Sequence, residues 1–596
     1  MATLPPSSSI AGSSAVGRSR PDPPSLFLRS TAPLRLSVAR PAVSARLYSS
    51  RPSSGANGSV GEPYPGGGEE LQYGLPTPPR LAGGIPVFVT LPVDAVGLAG
   101  QMSRRKTMAA SFMALAAAGV EGVVVEAWWG IVERDAPGAY NWAGYIDLVN
   151  LAQRFGLKVR MIMAFHQCGS GPGDPCWFPL PQWVLKEIEV NPDLQHSDRF
   201  GRRSKEYISL GCDVLPVLKG RTPIQAYSDF MRSFRDTFKG FLGIIITEVQ
   251  IGMGPGGDLR YPSCPSEKLM QPRSGPELGE FQCYDKYMLA SLNACAQGVG
   301  KSAWGNGGPL GAGNLFQNPE ETSFFKSDGS WNTAYGEFFL EWYSGMLLKH
   351  GERLCIAADA IFWGFGMKVL AKIAGIHWHY STNSHPSERL PPIAHMFSRY
   401  RMILCCACFD MRDAEVEQVN PDGSPEGVLR QLVRAARMCN LSLTGENSVT
   451  RLDDMSLQQV VRSSRFCREN LYGGHPLSFN FVRMNKNMFD SHNWTRFTRF
   501  VRQMSDARTF QARLDFGASE QLCLASASPS EDSGRALILR GFFLVSSACA
   551  PPVPSCLFSF FFFLSFFFIA YDYCTWGFIE FSQVVVHIWG LFKVPG

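Results

Sequence analysis

Eight short apolar runs recur along the middle of the chain: IPVFVTLP (85–92), EGVVVEAW (121–128), KVRMIMAFH (158–166), IIITEVQIG (244–252), VLAKIAGIHW (369–378), RMILCCACFD (401–410), LSLTGEN (441–447) and SFNFVRM (478–484). Most are continuous rather than strictly alternating, the pattern of strands buried on both faces. Between them lie longer segments whose apolar positions recur at helical spacing, predicting amphipathic helices over 104–118, 140–155, 224–241, 425–438 and 457–469. Strands separated by helical crossovers predict a parallel sheet, and eight of them predict a closed (β/α)8 barrel of the TIM type. Extra length after the third, fourth and fifth runs predicts long loops on the face where the strands end.

Polar residues fall at or just past the C-terminal ends of these runs. Glu126, with Trp128 and Trp129, closes the second, and His166 closes the third. Glu248 and then Asp258 follow the fourth, and His377 with Trp378 closes the fifth. Asp410, Arg412 and Asp413 end the sixth, Glu446 and Asn447 the seventh, and Arg483 the eighth. Barrel enzymes build their active sites on this rim. Taken singly, each residue reads first as a loop hydrophilic or half of a buried ion pair, but every strand after the first ends this way. The chain has no Gly-rich phosphate loop of the required form, no GxSxG and no evident metal cluster. Carboxylates beside Trp, His and Tyr suit glycoside hydrolysis, in which one carboxyl protonates the leaving oxygen and the other attacks or activates water. A barrel does not by itself select this chemistry.

The motifs GVVVEAWWGIVE, FHQCGSGPGD, DLRYPS, GEFQCYDKY, GIHWHY, MRD, GEN and FVRM occur in this order along the strand pattern. Through them the chain, over about residues 83–512, resembles the plant β-amylases, inverting exo-hydrolases of α-1,4-glucans. The resemblance implies β-maltose as product, released from non-reducing ends, with no metal or organic cofactor. It implies general acid at Asp258 and general base at Glu446. It further implies sugar-binding roles for Glu126, His166, Asp174, Lys372, His377, Ala407, Asn447 and Arg483, with Asp174 ending a Gly-rich lid.

Four departures from the family pattern stand out. Asp258 occupies a position where the family has Glu in a GELRYPS motif, so its carboxyl is one methylene shorter. A misplacement of about 1 Å can cost about 10²-fold in rate. Glu126 stands where the family has Asp, and Ala407 where it has Thr. A stretch that the family carries between His385 and Pro391 is missing. Together these changes predict weak turnover, with a catalytically inactive glucan-binding or regulatory homologue in starch metabolism as the alternative.

Composition changes this picture only at the termini. The net charge of +5 is produced by residues 1–51, which hold seven Arg, no Lys and one acid; the remainder has 49 basic residues against 50 acidic ones. No basic face points to nucleic acid. Residues 1–51 are rich in Ser, Ala, Pro and Arg and lack an apolar signal core, which predicts a transit peptide and the plastid stroma. Residues 52–83 read as a Gly/Pro-rich linker, and 84–515 as the barrel. The tail 516–596 is atypical. Its Phe-rich segment, 556–571, is short against the about 20 residues of a membrane span. It reads as a gene-model artefact in preference to a membrane anchor. Sixteen scattered Cys, with three crowded at 405, 406 and 408, read as small apolar residues in a reducing compartment, the crowded three leaving room for a redox-sensitive thiol.

Overall fold

The computed structural model describes residues 84–505, except 170, 172, 175, 263–280, 314–317, 376–379, 383, 385–389, 417–421 and 472–476. The transit segment, the linker, the Phe-rich tail, the deletion near His385 and the candidate His377 lie outside the described residues.

The eight runs form eight barrel strands: β1 (Val87–Thr90), β2 (Gly122–Trp128), β3 (Lys158–Ala164), β4 (Ile246–Ile251), β5 (Lys368–Ile373), β6 (Ile403–Cys406), β7 (Leu443–Glu446) and β8 (Leu477–Phe481). All pair in parallel in the order β4-β3-β2-β1-β8-β7-β6-β5, and β4 pairs with β5 to close the ring. Continuous apolar runs are required because the outward residues lie under helices while the inward ones fill the lumen. Val123, Val124 and Val125 are all buried, although they point to alternate sides.

The helices start where local chemistry satisfies their first amides. Pro223–Thr237 begins with a capping box between Thr222 and Gln225 and has Pro223 in its first turn. Pro425–Met438 begins behind Ser424, whose hydroxyl accepts from the Gly427 amide.

Two insertions shape the upper face. After β3 the chain forms an antiparallel pair, Gln195–Ser197 with Arg203–Ile208. After β4 a two-residue strand, Asp258–Leu259, extends the sheet by pairing with the end of β5. The insertion expected after the fifth run falls between Ile373, the end of β5, and Leu390, where the next helix starts, and much of that stretch lies outside the described residues. Glu248 also departs from expectation. It pairs in register with Lys368, the first residue of β5, and so lies near the strand beginnings rather than on the rim. There it is buried against Arg160, whose Nη2 is 2.6 Å away. Arg160 in turn donates to Thr444 and Ser478 across the lumen, forming a polar layer below the rim.

Candidate active site

Two strands and one inserted loop meet at Lys372 near the end of β5. The parallel register sets Asp258 directly opposite it. Its ammonium lies 3.5 Å from Asp258 Oδ1 and 3.0 Å from Glu446 Oε2, on the last residue of β7. Those two carboxylate oxygens therefore stand at most 6.5 Å apart. β5 and β7 are not neighbours in the sheet, so the Lys372–Glu446 contact crosses the lumen.

Glu446 is firmly held. Asn480 on β8 donates to Glu446 Oε1 at 2.8 Å, and Thr90 on β1 donates to Asn480 Oδ1 at 2.9 Å, which fixes the orientation of that amide. Burial alone would raise the Glu446 carboxyl. The Lys372 ammonium and the Asn480 amide outweigh burial and hold it below the ordinary range, so that it stays ionised. Burial would conversely lower Lys372, but Asp258 and Glu446 keep it well above its usual value.

Asp258 is held loosely. Its two cationic neighbours, Lys372 and Arg260, stand at 3.5 and 3.6 Å, and Oδ1 is buried with no hydrogen bond. The loop that delivers it, Gly254 to Gly257, passes between Arg260 and His166. Gly256 and Gly257 have φ of 62° and 79°, in the region that favours glycine.

The remaining expected residues divide into groups. His166 lies edge-on to Trp128, with ring centroids 5.2 Å apart, and Trp128 stacks on Phe178. Burial lowers the His166 pKa to about 4, so the imidazole is neutral at ordinary pH, and its Nδ1 is buried without a partner. Glu126, Arg260 and Lys372 all act on this ring electrostatically, so it belongs to the same pocket. Glu126 and Arg483 are paired with each other: both guanidinium Nη atoms donate to the carboxylate at 2.9 Å, and Nη1 also donates to the Leu91 carbonyl. Asn447 spends its amide on backbone, donating to the carbonyls of Val449 and Val482 and accepting from the Val482 amide. Asp174 accepts from the Cys176 amide at 2.9 Å within the loop after β3. Ala407 is half-buried between Cys406 and Cys408, whose sulfurs lie 3.9 Å apart. Asp410 and Asp413 prove to be structural. Asp410 accepts from the Ser448 amide and hydroxyl, and Asp413 from the Ser424 hydroxyl and the Glu426 amide at a helix start.

Reading the run ends missed Asn480, next to last in β8, Thr90, which ends β1 two residues before its run does, and Arg260, which sits in the quoted DLRYPS. Strand period offered a signal for Asn480: it lies two residues after Ser478, on the same side of β8.

A family model, Glycosyl hydrolase family 14, matches residues 88–509, which is most of the chain and, but for Val87, all eight barrel strands. The chain belongs to that family. It is 47% identical over 442 residues to "Beta-amylase 1, chloroplastic" of Arabidopsis thaliana, covering 72% of this chain and 76% of that protein. It is 47% identical over 439 residues to "Beta-amylase 1, chloroplastic" of Oryza sativa subsp. japonica, covering 71% and 81%. A beta-amylase of Glycine max is 37% identical over 437 residues, covering 70% and 87%. The crystal structure of the catalytic domain of beta-amylase from Paenibacillus polymyxa superposes with a TM-score of 0.58 at 23% identity, covering 71% of this chain and 98% of that one, a likeness of fold. The chain is thus a glycoside hydrolase of family 14 on a (β/α)8 barrel. Among the described residues no helix is long and apolar enough to cross a membrane.

Proposed function

We propose that this protein is a β-amylase of the plastid stroma, removing maltose from the non-reducing ends of α-1,4-glucan by a single inverting displacement. The observation that carries the reading is the pair of carboxylates on one lysine. Asp258 is the proton donor to the glycosidic oxygen, and Glu446, ionised by Lys372 and Asn480, is the base that activates water. Inverting enzymes separate their carboxyls by about 6.5–9.5 Å to admit that water. These two oxygens stand no farther apart than 6.5 Å, at or below the short end of that range, so the inverting assignment rests on the family rather than on this distance. The same reading assigns the sugar-binding roles that the family resemblance implies to His166, Asp174, Lys372, His377, Ala407, Asn447, Glu126 and Arg483. Lys372 balances the charge of both acids, and the Glu126–Arg483 pair walls the β2–β8 side.

Turnover is weak because the donor is short and loosely gripped: Asp258 has two cations at 3.5–3.6 Å and an unbonded Oδ1. The same observation favours a second reading, a glucan-binding homologue that has lost hydrolysis. Incubating the purified full-length chain with soluble starch and following the new anomeric proton by NMR tests both. Release of β-maltose supports the inverting hydrolase. α-Maltose would overturn the inverting mechanism. No maltose, with malto-oligosaccharide binding retained, would favour the second reading.

A further inference from the structure

The helix Ala334–Phe362 carries one stripe that is only partly covered. Glu352, Ile356, Asp359 and Trp363 recur along it at helical spacing, the last just past the helix end. The segment Arg399–Arg401, at the end of the helix Leu390–Arg399, runs beside that stripe. Arg399 Nη1 donates to Glu352 Oε1 at 2.9 Å, and the Tyr400 hydroxyl donates to the same oxygen at 3.2 Å. Arg401 Nη2 donates to both oxygens of Asp359, at 2.6 and 2.8 Å. From residue 352 to residue 363 the strip is about 16 Å long at the helical rise per residue.

Trp363 is the unusual member. Large aromatic side chains are mostly buried, yet Trp363 is 67% exposed, and Ile356, two turns before it, is 49% exposed. The position of the indole is nevertheless set. The Trp363 amide donates to the Asp359 carbonyl at 3.0 Å, and the Arg401 guanidinium carbon lies over the ring, 3.9 Å from its centroid. Asp359 locks that guanidinium, so one face of the indole is backed by a fixed cation and the other faces solvent. Arg401 reaches this place in a strained backbone: its φ is 56° in the turn after its helix, where glycine is the usual occupant. The strip ends on the side of the barrel away from the acids. Trp363 falls between the helix end and Lys368, the first residue of β5, whereas Asp258 pairs with Lys372 near the other end of that strand.

We propose that this strip is a second glucan-binding surface: one pyranose ring stacks on Trp363 with its hydroxyls on Asp359 and Arg401, and a further ring of the same chain reaches Tyr400 and Glu352. The proposal rests on the reading of the ligand as α-1,4-glucan, not on the roles given to Asp258 and Glu446. A pyranose presents a face of C–H bonds and an edge of hydroxyls. The face suits an aromatic ring, and planar carboxylate and guanidinium groups pair with neighbouring hydroxyls. A strip one helix face wide is too small for a stable protein interface, which takes about 800 Å² from each partner. Its length suits several rings of one chain, and a glucan polymer offers many rings besides the terminal ones that enter the catalytic pocket.

Native electrophoresis of the full-length chain through gels containing amylopectin, beside kinetics on maltopentaose, tests the proposal. Trp363→Ala should weaken retardation by amylopectin about fivefold, as the loss of one stacked ring does for a polymeric ligand, while kcat and KM on maltopentaose stay within about twofold. Trp363→Phe keeps a ring and should retain most of the retardation. Tyr400→Ala, at the other end of the strip, should cost less than Trp363→Ala, and it carries the test if Trp363→Ala does not fold. Unchanged retardation in a folded Trp363→Ala overturns the proposal. So does a loss matched by an equal rise in KM on maltopentaose, which would place the effect in the catalytic pocket. A chain that cleaves maltopentaose but is not retarded overturns this surface alone. A chain that is retarded through Trp363 but cleaves nothing supports the surface and overturns the hydrolase reading.

Discussion

Glu446 and Asp258 share one lysine and little else. Glu446 ends a barrel strand, is 4% exposed and is gripped at 2.8 and 3.0 Å by groups from two other strands. Asp258 comes from an insertion, is 18% exposed and is touched at 3.5 and 3.6 Å. A carboxylate on the barrel inherits its position from the sheet, where neighbouring strands fix it through the lumen. The carboxylate on the inserted loop is tethered by the one short pairing of Asp258–Leu259 with the end of β5 and by long side-chain contacts. The two acids of one reaction are therefore unequally robust, and a one-methylene change does most harm at the tethered one.

The largest effect should come from removing the firmly held member. Glu446→Gln should lower maltose release by about 10²–10⁴-fold, the range for loss of a general base. A loss under tenfold would break the comparison by showing that Glu446 is not the base. Next, Asp258→Glu should raise kcat by up to about 10²-fold, since the longer side chain restores reach. No gain would locate the deficit elsewhere in the pocket.

A smaller change tests the grip on the base. Asn480→Ala removes a hydrogen bond to a charged group, an interaction of about 1.5–3 kcal/mol, so kcat should fall about tenfold or more. The sign of the pH effect follows from the direction of the shift: Asn480 helps lower the Glu446 pKa. Losing it raises that pKa, and the acid limb of the kcat profile should move to higher pH. A profile that does not move would mean that Lys372 alone keeps Glu446 ionised. The smallest effect is expected at Ala407→Thr. A restored hydroxyl contributes about 0.5–1.5 kcal/mol, so KM should fall by no more than about tenfold. An unchanged KM would remove Ala407 from the sugar site.

Much of this was legible in the chain, for a physical reason. Strands of a parallel barrel are buried on both faces, so each announces itself as an apolar run, and its end marks the rim. All eight runs form strands, and Glu446 at the end of β7, Lys372 next to the end of β5 and Asp258 in the insertion after β4 converge. The failures have a reason too. A polar residue in an apolar run does not reveal its height in the barrel: Glu248 proves to be near the bottom, paired with Arg160. Asp410 and Asp413 lie on the rim as expected, yet their side chains hold backbone.

The sequence by itself determined the barrel, its closure and the family, because these rest on local periodicity and on motifs a few residues long. Only the tertiary structure decided which polar ends meet. Thr90 reaches Asn480 across 390 positions of chain, and Arg483 reaches Glu126 across 357. Nothing in either local sequence names its partner. Such contacts depend on how the sheet closes on itself, and that is fixed by packing rather than by the order of residues in either strand.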